Sequence, residues 1–142
     1  MVKTKSQVVS LEPDVLEVGF SEKECSLLGD RCRLCDLAFF PRRRFCVRCC
    51  GPELEEIRLS RRGRLKSFTL VHQRPKHAVI EPPYLLGEIE LPERVVVYSL
   101  VTQCSAGELK TGAEMELVTV KAREEARDGK PVTVLAYAFR PR

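Results

Sequence analysis

Apolar residues in the second half of the chain fall into short stretches rich in β-branched residues. The clearest is Val95 to Thr102, a nearly continuous run that is typical of a central strand. Four further stretches have strand character: Arg64 to His72, Tyr84 to Leu91, Glu114 to Lys121 and Val132 to Phe139. Five short strands, with Ser105 to Gly112 as one small helical turn, favour a closed barrel of the OB type.

Turn residues separate these strands. Pro92-Glu93-Arg94 predicts a tight hairpin, and Arg127-Asp128-Gly129-Lys130 predicts a second turn. The two adjacent prolines in His77 to Pro83 predict a loop. In the strand that starts at Glu114 the apolar phase slips between Leu117 and Val118, which predicts a β-bulge.

The first fifty residues follow a different pattern. Residues 1–20 carry scattered apolar side chains, from which we predict an arm that packs on another surface. Ser21 and Glu24 have the spacing of a capping box, which predicts a short helix to Leu28, ended by Gly29. We therefore predict a mainly β chain with an arm and short helix at 1–29, a cysteine module at 30–52 and the barrel at 53–142.

Four of the seven cysteines form two Cys-x2-Cys pairs: Cys32, Cys35, Cys46 and Cys49. Each spacing lets a tight turn point two thiolates at one ion, and two such turns supply a tetrahedral four-sulfur shell. Soft ligands with no open position favour structural Zn²⁺, and a rubredoxin-like iron site is the alternative. We exclude Cys50 because its spacing from Cys46 does not fit the knuckle. Cys25 and Cys104 are predicted to be small core residues.

Composition narrows the class of protein. Hydrophobic residues make up 44% and charged residues 31%, which is a globular balance. No apolar run approaches the ~18 residues that a membrane-spanning helix needs, and the polar segment Met1 to Ser10 is unlike a signal peptide. We therefore expect a cytoplasmic protein with no membrane partner. In a reducing compartment, cysteines indicate metal binding rather than disulfides.

Charge is unevenly distributed. The net charge is +4, whereas eleven basic and four acidic residues between Arg31 and Lys66 give that segment +7. Arg42, Arg43 and Arg44 follow Phe39-Phe40-Pro41, which predicts an anion-binding or partner-binding tip with an apolar anchor. The alternative is that Phe39 packs the module while the arginines are solvated. Arg61 to Arg64 is a second basic turn, which suits either a phosphate or a simple hairpin.

Catalytic chemistry is not indicated. His72 and His77 are the only histidines, and neither stands in an arrangement that predicts nucleophilic catalysis. We find no glycine-rich phosphate loop and no paired-carboxylate motif in the sequence.

The order of motifs resembles that of a known family. The two cysteine pairs flank Phe40-Pro41-Arg42. After them come Gly63 to His72, Pro82-Pro83-Tyr84 and Phe139-Arg140-Pro141. This order, over about residues 21–142, resembles the zinc-ribbon and OB-fold proteins that accompany acyl-CoA enzymes, a family long filed as a domain of unknown function. Arg43 and Arg44 are additional charges, Val47 stands where proline is frequent, and Cys50 is unusual.

The resemblance implies a rubredoxin-like zinc ribbon followed by a five-stranded OB barrel. It also implies a non-catalytic subunit, inactive alone, in a hetero-oligomer with a thiolase-like enzyme that degrades a bulky acyl-CoA, including aromatic thioesters. In some members the partner is enoyl-CoA hydratase-like. Phe40, Arg42, Arg43 and Arg44 would then contact the partner or the phosphates of a CoA thioester held at the partner interface.

Two other functions compete with this interpretation. A nucleic-acid-binding module would suit the fold and the basic segment. However, the barrel region lacks surface aromatic residues for base stacking: Tyr84, Tyr98 and Tyr137 are its only tyrosines, and the last two lie in apolar stretches. Nucleic acid is therefore not the expected partner. An iron-containing redox protein is the third hypothesis.

Overall fold

The structure is a computed structural model that describes residues 7–19, 24–73 and 82–142. Most of these residues lie in strands. The strands are β1 Gln7–Ser10, β2 Leu16–Glu17, β3 Ser26–Cys32, β4 Ala38–Phe39, β5 Leu54–Arg58, β6 Arg62–Val71, β7 Tyr84–Glu90, β8 Val96–Val101, β9 Glu114–Arg127 and β10 Lys130–Pro141. A 3-10 turn covers Ala106–Glu108, within the predicted helical turn. None of the described residues belongs to a helix long and apolar enough to cross a membrane.

Strands β6 to β10 close a five-stranded barrel. Going round the barrel, the order is β9, β6, β7, β8 and β10, and β10 pairs again with β9. All these pairs are antiparallel except β8 with β10, which run parallel with Leu100 opposite Ala138. The five predicted strands and the OB-type barrel are therefore confirmed.

The two predicted turns hold the barrel hairpins. The Arg94 N–H donates to the Leu91 carbonyl at 2.9 Å, which makes the β7–β8 turn tight. Between β9 and β10 the chain reverses at Asp128 and Gly129, with φ of 51° and 75°. Glycine tolerates this left-handed conformation and aspartate adopts it more readily than most residues, so the local sequence fits the turn.

The predicted bulge between Leu117 and Val118 is wrong. These residues pair in unbroken register with Phe139 and Ala138. Both are buried, so this part of β9 is covered on both faces and the apolar pattern loses its alternation. The register shift lies instead opposite Val134 and Leu135, where Ala122 is the additional residue.

The basic stretch at Arg61 to Arg64 is not a turn. Arg62 and Arg64 lie in β6 and pair with Glu116 and Glu114 of β9. A Cβ added at Gly63 would come within 2.6 Å of the Glu90 carbonyl oxygen. Close approach of β7 therefore requires glycine here, and the residue is not a turn signal.

A second sheet is built around β3. Strands β2 and β4 pair along one edge of β3, and β5 pairs along the other, all antiparallel. The predicted helix to Leu28 is therefore wrong over Ser26 to Leu28, which begin β3; Ser21 to Lys23 lie outside the described residues. Leu27 and Leu28 are both buried. Pairing on both edges and burial on both faces outweigh a local capping signal.

The arm packs on its own chain. Strand β1 runs parallel to β10, with Gln7 opposite Val132 and Ser10 opposite Leu135. Leu16 of β2 and Leu27 of β3 belong to the same core cluster as Leu65 and Phe139 of the barrel. The β3 sheet and the barrel thus share one continuous core. Of the predicted loop from His77, only Pro82 and Pro83 lie within the described residues.

Candidate metal centre and basic ribbon tip

The two Cys-x2-Cys knuckles meet at the end of the β3 sheet. Cys32 ends β3, and the second knuckle precedes β5. The Sγ atoms of Cys32 and Cys49 are 3.6 Å apart, and those of Cys35 and Cys46 are 3.5 Å apart. All four sulfurs lie within 4.8 Å of one another. Tetrahedral zinc with Zn–S bonds of about 2.3 Å places sulfurs roughly 3.8 Å apart, so the cluster fits the ion.

Backbone amides point at the sulfurs. The N–H groups of Arg48 and Cys49 approach Cys46 Sγ at 3.4 and 3.5 Å, and the Gly51 N–H approaches Cys49 Sγ at 3.4 Å. Such donors stabilise thiolates over thiols. The backbone is therefore arranged for negatively charged sulfur.

The two knuckles end in the same way. Asp36 and Cys50 follow the second cysteine of each pair and have φ of 63° and 61°. Their N–H groups donate to the carbonyls of Cys32 and Cys46 at 2.8 and 3.0 Å. The left-handed residue turns the chain away from the cluster, so Cys50 carries its thiol outside the four-sulfur set.

The thiol pKa values show strong mutual influence. The Leu37 backbone N–H is the main cause that lowers the pKa of Cys35, to about 6, and the Cys49 N–H lowers that of Cys46. For Cys49, the Gly51 N–H lowers the pKa, but the Cys32 sulfur, burial and the other thiols together raise it to about 12. Four thiolates this close need a cation between them, which a divalent metal supplies.

Three arginines adjoin the knuckle cysteines, but they have different partners. Arg48 donates through Nη2 to the Cys35 carbonyl at 2.8 Å, and a hydrogen bond with the Cys35 thiolate raises the pKa of the guanidinium. Arg31 pairs instead with Asp36 at 3.2 Å, and Arg33 with Glu55 at 3.7 Å. Arg48 is therefore the arginine that acts on the cluster.

The remaining cysteines lie elsewhere. Cys25 is 1% exposed and belongs to the main core, and Cys104 packs against that core. Within the cluster, Cys32 and Cys46 are buried, Cys35 is half-buried and Cys49 is exposed.

Arg42 holds the ribbon tip closed. Its Nε donates to Asp30 Oδ1 at 3.1 Å, and its Nη1 to Glu56 Oε2 at 2.6 Å. The Arg43 backbone N–H donates to the other Asp30 oxygen at 3.1 Å. Asp30 is fully buried, so this carboxylate needs these donors. Two carboxylates therefore engage the Arg42 guanidinium in this structure.

The other predicted contact residues divide into two groups. Phe40 makes an edge-to-face contact with Tyr137 of β10, with ring centroids 6.1 Å apart. Arg43 and Arg44 are exposed, and no carboxylate of the described chain lies within ion-pair distance of their side chains. Phe40 thus joins the tip to the barrel, while Arg43 and Arg44 face outward.

The sequence interpretation missed two features of this site. One is Asp30, whose acidic side chain interrupts the apolar run of Leu27 and Leu28 next to a basic module, a signal that could have indicated a buried ion pair. The other is a set of exposed apolar side chains on the knuckles: Leu34, Phe45 and Val47. Spacing of the cysteines alone gave no indication of them.

Comparisons with known proteins agree with this architecture. The sequence model of a family described as the ChsH2 C-terminal OB-fold domain matches residues 56–120. A DUF35 domain-containing scaffold protein of Methanocaldococcus jannaschii is 33% identical over 121 residues, covering 84% of each chain. The benzoylsuccinyl-CoA thiolase subunit BbsA of Thauera aromatica is 34% identical over 138 residues, covering 96% of this chain and 90% of that protein.

A solved structure shares the fold. The Ltp2-ChsH2(DUF35) aldolase superposes with a TM-score of 0.60 at 22% identity, covering 82% of this chain and 84% of that chain. At this identity the likeness bears on the fold alone.

Proposed function

The chain belongs to the DUF35 family, and on that basis we propose that it is a non-catalytic, zinc-containing accessory subunit of a thiolase-like enzyme. Together the two proteins would act on a bulky acyl-CoA, with the chemistry carried out by the partner. The thiolase subunit of Thauera aromatica supports this most directly, because its similarity extends over 96% of this chain. Nearly all of this chain therefore corresponds to a protein that is named as one subunit of a thiolase.

Zinc would have a structural role here. Cys32, Cys35, Cys46 and Cys49 would hold Zn²⁺ with a full shell of four thiolates, which leaves no position for an activated water. The amides of Arg48, Cys49 and Gly51 already point at these sulfurs. The ion would fix the knuckles and, through them, the position of the ribbon tip.

The ribbon tip would face the CoA thioester at the partner interface. Arg43 offers a guanidinium group that suits phosphate oxygens, and Arg44 offers one that suits acidic groups of the partner. Arg42 would act indirectly, because Asp30 and Glu56 engage its guanidinium and hold the loop. Phe40 would keep the loop against the barrel through its contact with Tyr137.

Purification of the tagged chain from its native lysate tests the proposal. We would identify co-purifying proteins by mass spectrometry and measure zinc in the same fraction. We expect a stoichiometric thiolase-like subunit and one zinc ion per chain. As a matched control, the double variant Cys32→Ser/Cys49→Ser should lose both zinc and the partner.

Other outcomes would redirect the assignment. A hydratase-like partner would replace the thiolase while keeping the accessory role. Recovery of RNA or DNA without a protein partner would reject the accessory role in favour of a nucleic-acid module. A red, iron-containing product would reject the zinc assignment.

A further inference from the structure

Three large apolar side chains are exposed around the metal centre. Leu34, Phe45 and Val47 are 62%, 57% and 58% exposed. We call these three residues the knuckle patch. Isolated exposed apolar residues are ordinary on protein surfaces, but three of them on one small module need an explanation.

The three residues lie on the two knuckles, next to cysteines whose sulfurs are in contact. Leu34 is the chain neighbour of Cys35, and Phe45 and Val47 are the two chain neighbours of Cys46. The sulfurs of Cys35 and Cys46 are 3.5 Å apart. Residues attached directly to these two cysteines are therefore held around one end of the ribbon.

Leu34 and the backbone of the other two residues are held by the knuckles. A Cβ added at Gly51 would lie 2.6 Å from Leu34 Cδ1 and 3.3 Å from Cys49 Sγ, so Leu34 rests on the second knuckle. The backbone of Phe45 and Val47 is held by Cys46, which is buried. Apolar groups that are already ordered lose little conformational entropy on binding, which favours an interface role.

Arginines flank the knuckle patch along the chain. Arg44 immediately precedes Phe45 and Arg48 immediately follows Val47. The Arg44 side chain has no carboxylate partner in the part of the chain that the structure describes. A binding partner is therefore expected to present carboxylates around an apolar face, because this pairs the charges and covers the patch.

We propose that the knuckle patch is a docking surface for an acid-rimmed apolar face of the partner subunit. The identity of that partner rests on the proposed function, whereas the position of the surface does not. A protein partner fits better than a nucleic acid, because Leu34 and Val47 are aliphatic and offer no ring on which a base can stack.

Site-specific photo-crosslinking in the full-length, zinc-loaded chain tests this inference. p-Benzoylphenylalanine would replace Phe45 in one variant and Leu70 in the control. Leu70 is 40% exposed on β6, away from the knuckles. After irradiation in native cells, mass spectrometry would map each adduct to a peptide. We expect position 45 to label the thiolase-like subunit next to Asp or Glu residues, and position 70 to label it much less.

The remaining outcomes distinguish the docking surface from the proposed function. If the thiolase-like subunit co-purifies but position 45 gives no adduct with it, the docking surface is rejected and the proposed function stands. If position 45 labels the acid-rimmed apolar face of a stoichiometric protein of another class, the surface stands and the thiolase assignment fails. Adducts with nucleic acid or with a second copy of this chain reject the docking proposal.

Charge reversal gives an independent measurement. In the reconstituted complex, Arg44→Glu should weaken binding by at least about tenfold, since it brings like charges together at the rim. Arg94→Glu is the matched control, because Arg94 is also exposed but lies in the β7–β8 turn. Equal affinities of the two variants would contradict the acidic rim of the partner.

Discussion

At the residue scale, Asp30 determines which arginine of the basic tip is engaged within the fold. It is fully buried and accepts hydrogen bonds from the Arg42 side chain and the Arg43 backbone. A buried carboxylate without such donors would be costly, so Arg42 is held by the fold. Of three consecutive arginines, the first therefore shapes the loop, whereas the side chains of the next two have no carboxylate partner among the described residues.

This division predicts that Arg43 affects binding of the acyl-CoA. In the reconstituted enzyme, Arg43→Ala should raise KM for the acyl-CoA by about tenfold with little change in kcat, because charge-assisted contacts to phosphate are lost equally in ground and transition states. Arg94→Ala is the matched control. An unchanged KM would contradict phosphate contact by Arg43.

A second prediction at this scale distinguishes Cys49 from Cys50. Both are exposed, but only Cys49 belongs to the four-sulfur cluster. We expect Cys50→Ser to retain one zinc ion per chain and Cys49→Ser to lose tight binding, as measured by a colorimetric zinc assay after dialysis. Zinc loss in Cys50→Ser with retention in Cys49→Ser would reverse the ligand assignment.

At the element scale, the strands β9 and β10 are joined by an ion pair in register. Arg140 lies opposite Glu116, and its Nε donates to Glu116 Oε1 at 2.6 Å. This hydrogen bond is the main cause that lowers the pKa of Glu116 below its ordinary value of 4.5. The pair therefore stabilises the folded chain above that pH, and the contribution is lost as the pH falls through the lowered pKa.

Glu116→Gln should show this dependence. Urea unfolding at pH 7 should give a loss of about 0.5 to 1 kcal/mol, because the pair is partly exposed. The difference from the wild type should shrink once the pH falls below about 4.5, where the unfolded glutamate is protonated. Glu124→Gln, which alters an exposed pair with Lys121, is the control. A difference that is independent of pH would contradict the ionic origin.

Strands were predictable from the sequence where their signals were local. The β-branched run at Val95 and the turn residues at Asp128 and Gly129 act within a few residues, and the barrel follows from them. Strand β3 was not predictable in this way, since its partners β2, β4 and β5 are distant or too short to show a pattern. The Ser21 to Glu24 capping signal therefore led to the wrong element.

For the site, too, only the features with local signals were predictable from the sequence. Ligand spacing is local, so the four cysteines could be grouped from sequence. The Asp30–Arg42 pair joins residues twelve apart through the turn of the ribbon, and its formation depends on burial that the sequence does not express. The exposure of Leu34 and Val47 likewise depends on how the knuckles pack, which the sequence does not express.

At the scale of the whole molecule, the ribbon sheet and the barrel share one core, but the knuckles have a small cluster of their own. That cluster contains Cys32, Phe39 and Cys46. Strand β3, by contrast, is anchored through Leu27 in the main core. Loss of metal should therefore release the knuckles while the sheet and the barrel persist.

Hydrogen exchange with and without a strong zinc chelator would measure this. We expect the amides of Arg48, Cys49 and Gly51 to lose protection and those of β7 and β8 to keep theirs. The Cys50→Ser variant, which should keep its zinc, would control for oxidation of the free thiol. Uniform loss of protection across the barrel would mean that the metal supports the entire fold.

The pairing of β1 has a consequence for the order of events during translation. Among the described residues its strand partner is β10, which follows every other described strand in the chain. Until β10 leaves the ribosome, β1 lacks this partner and the barrel cannot close between β8 and β9. The nascent chain therefore carries β1 without its described partner until β10 emerges, and the barrel closes only then.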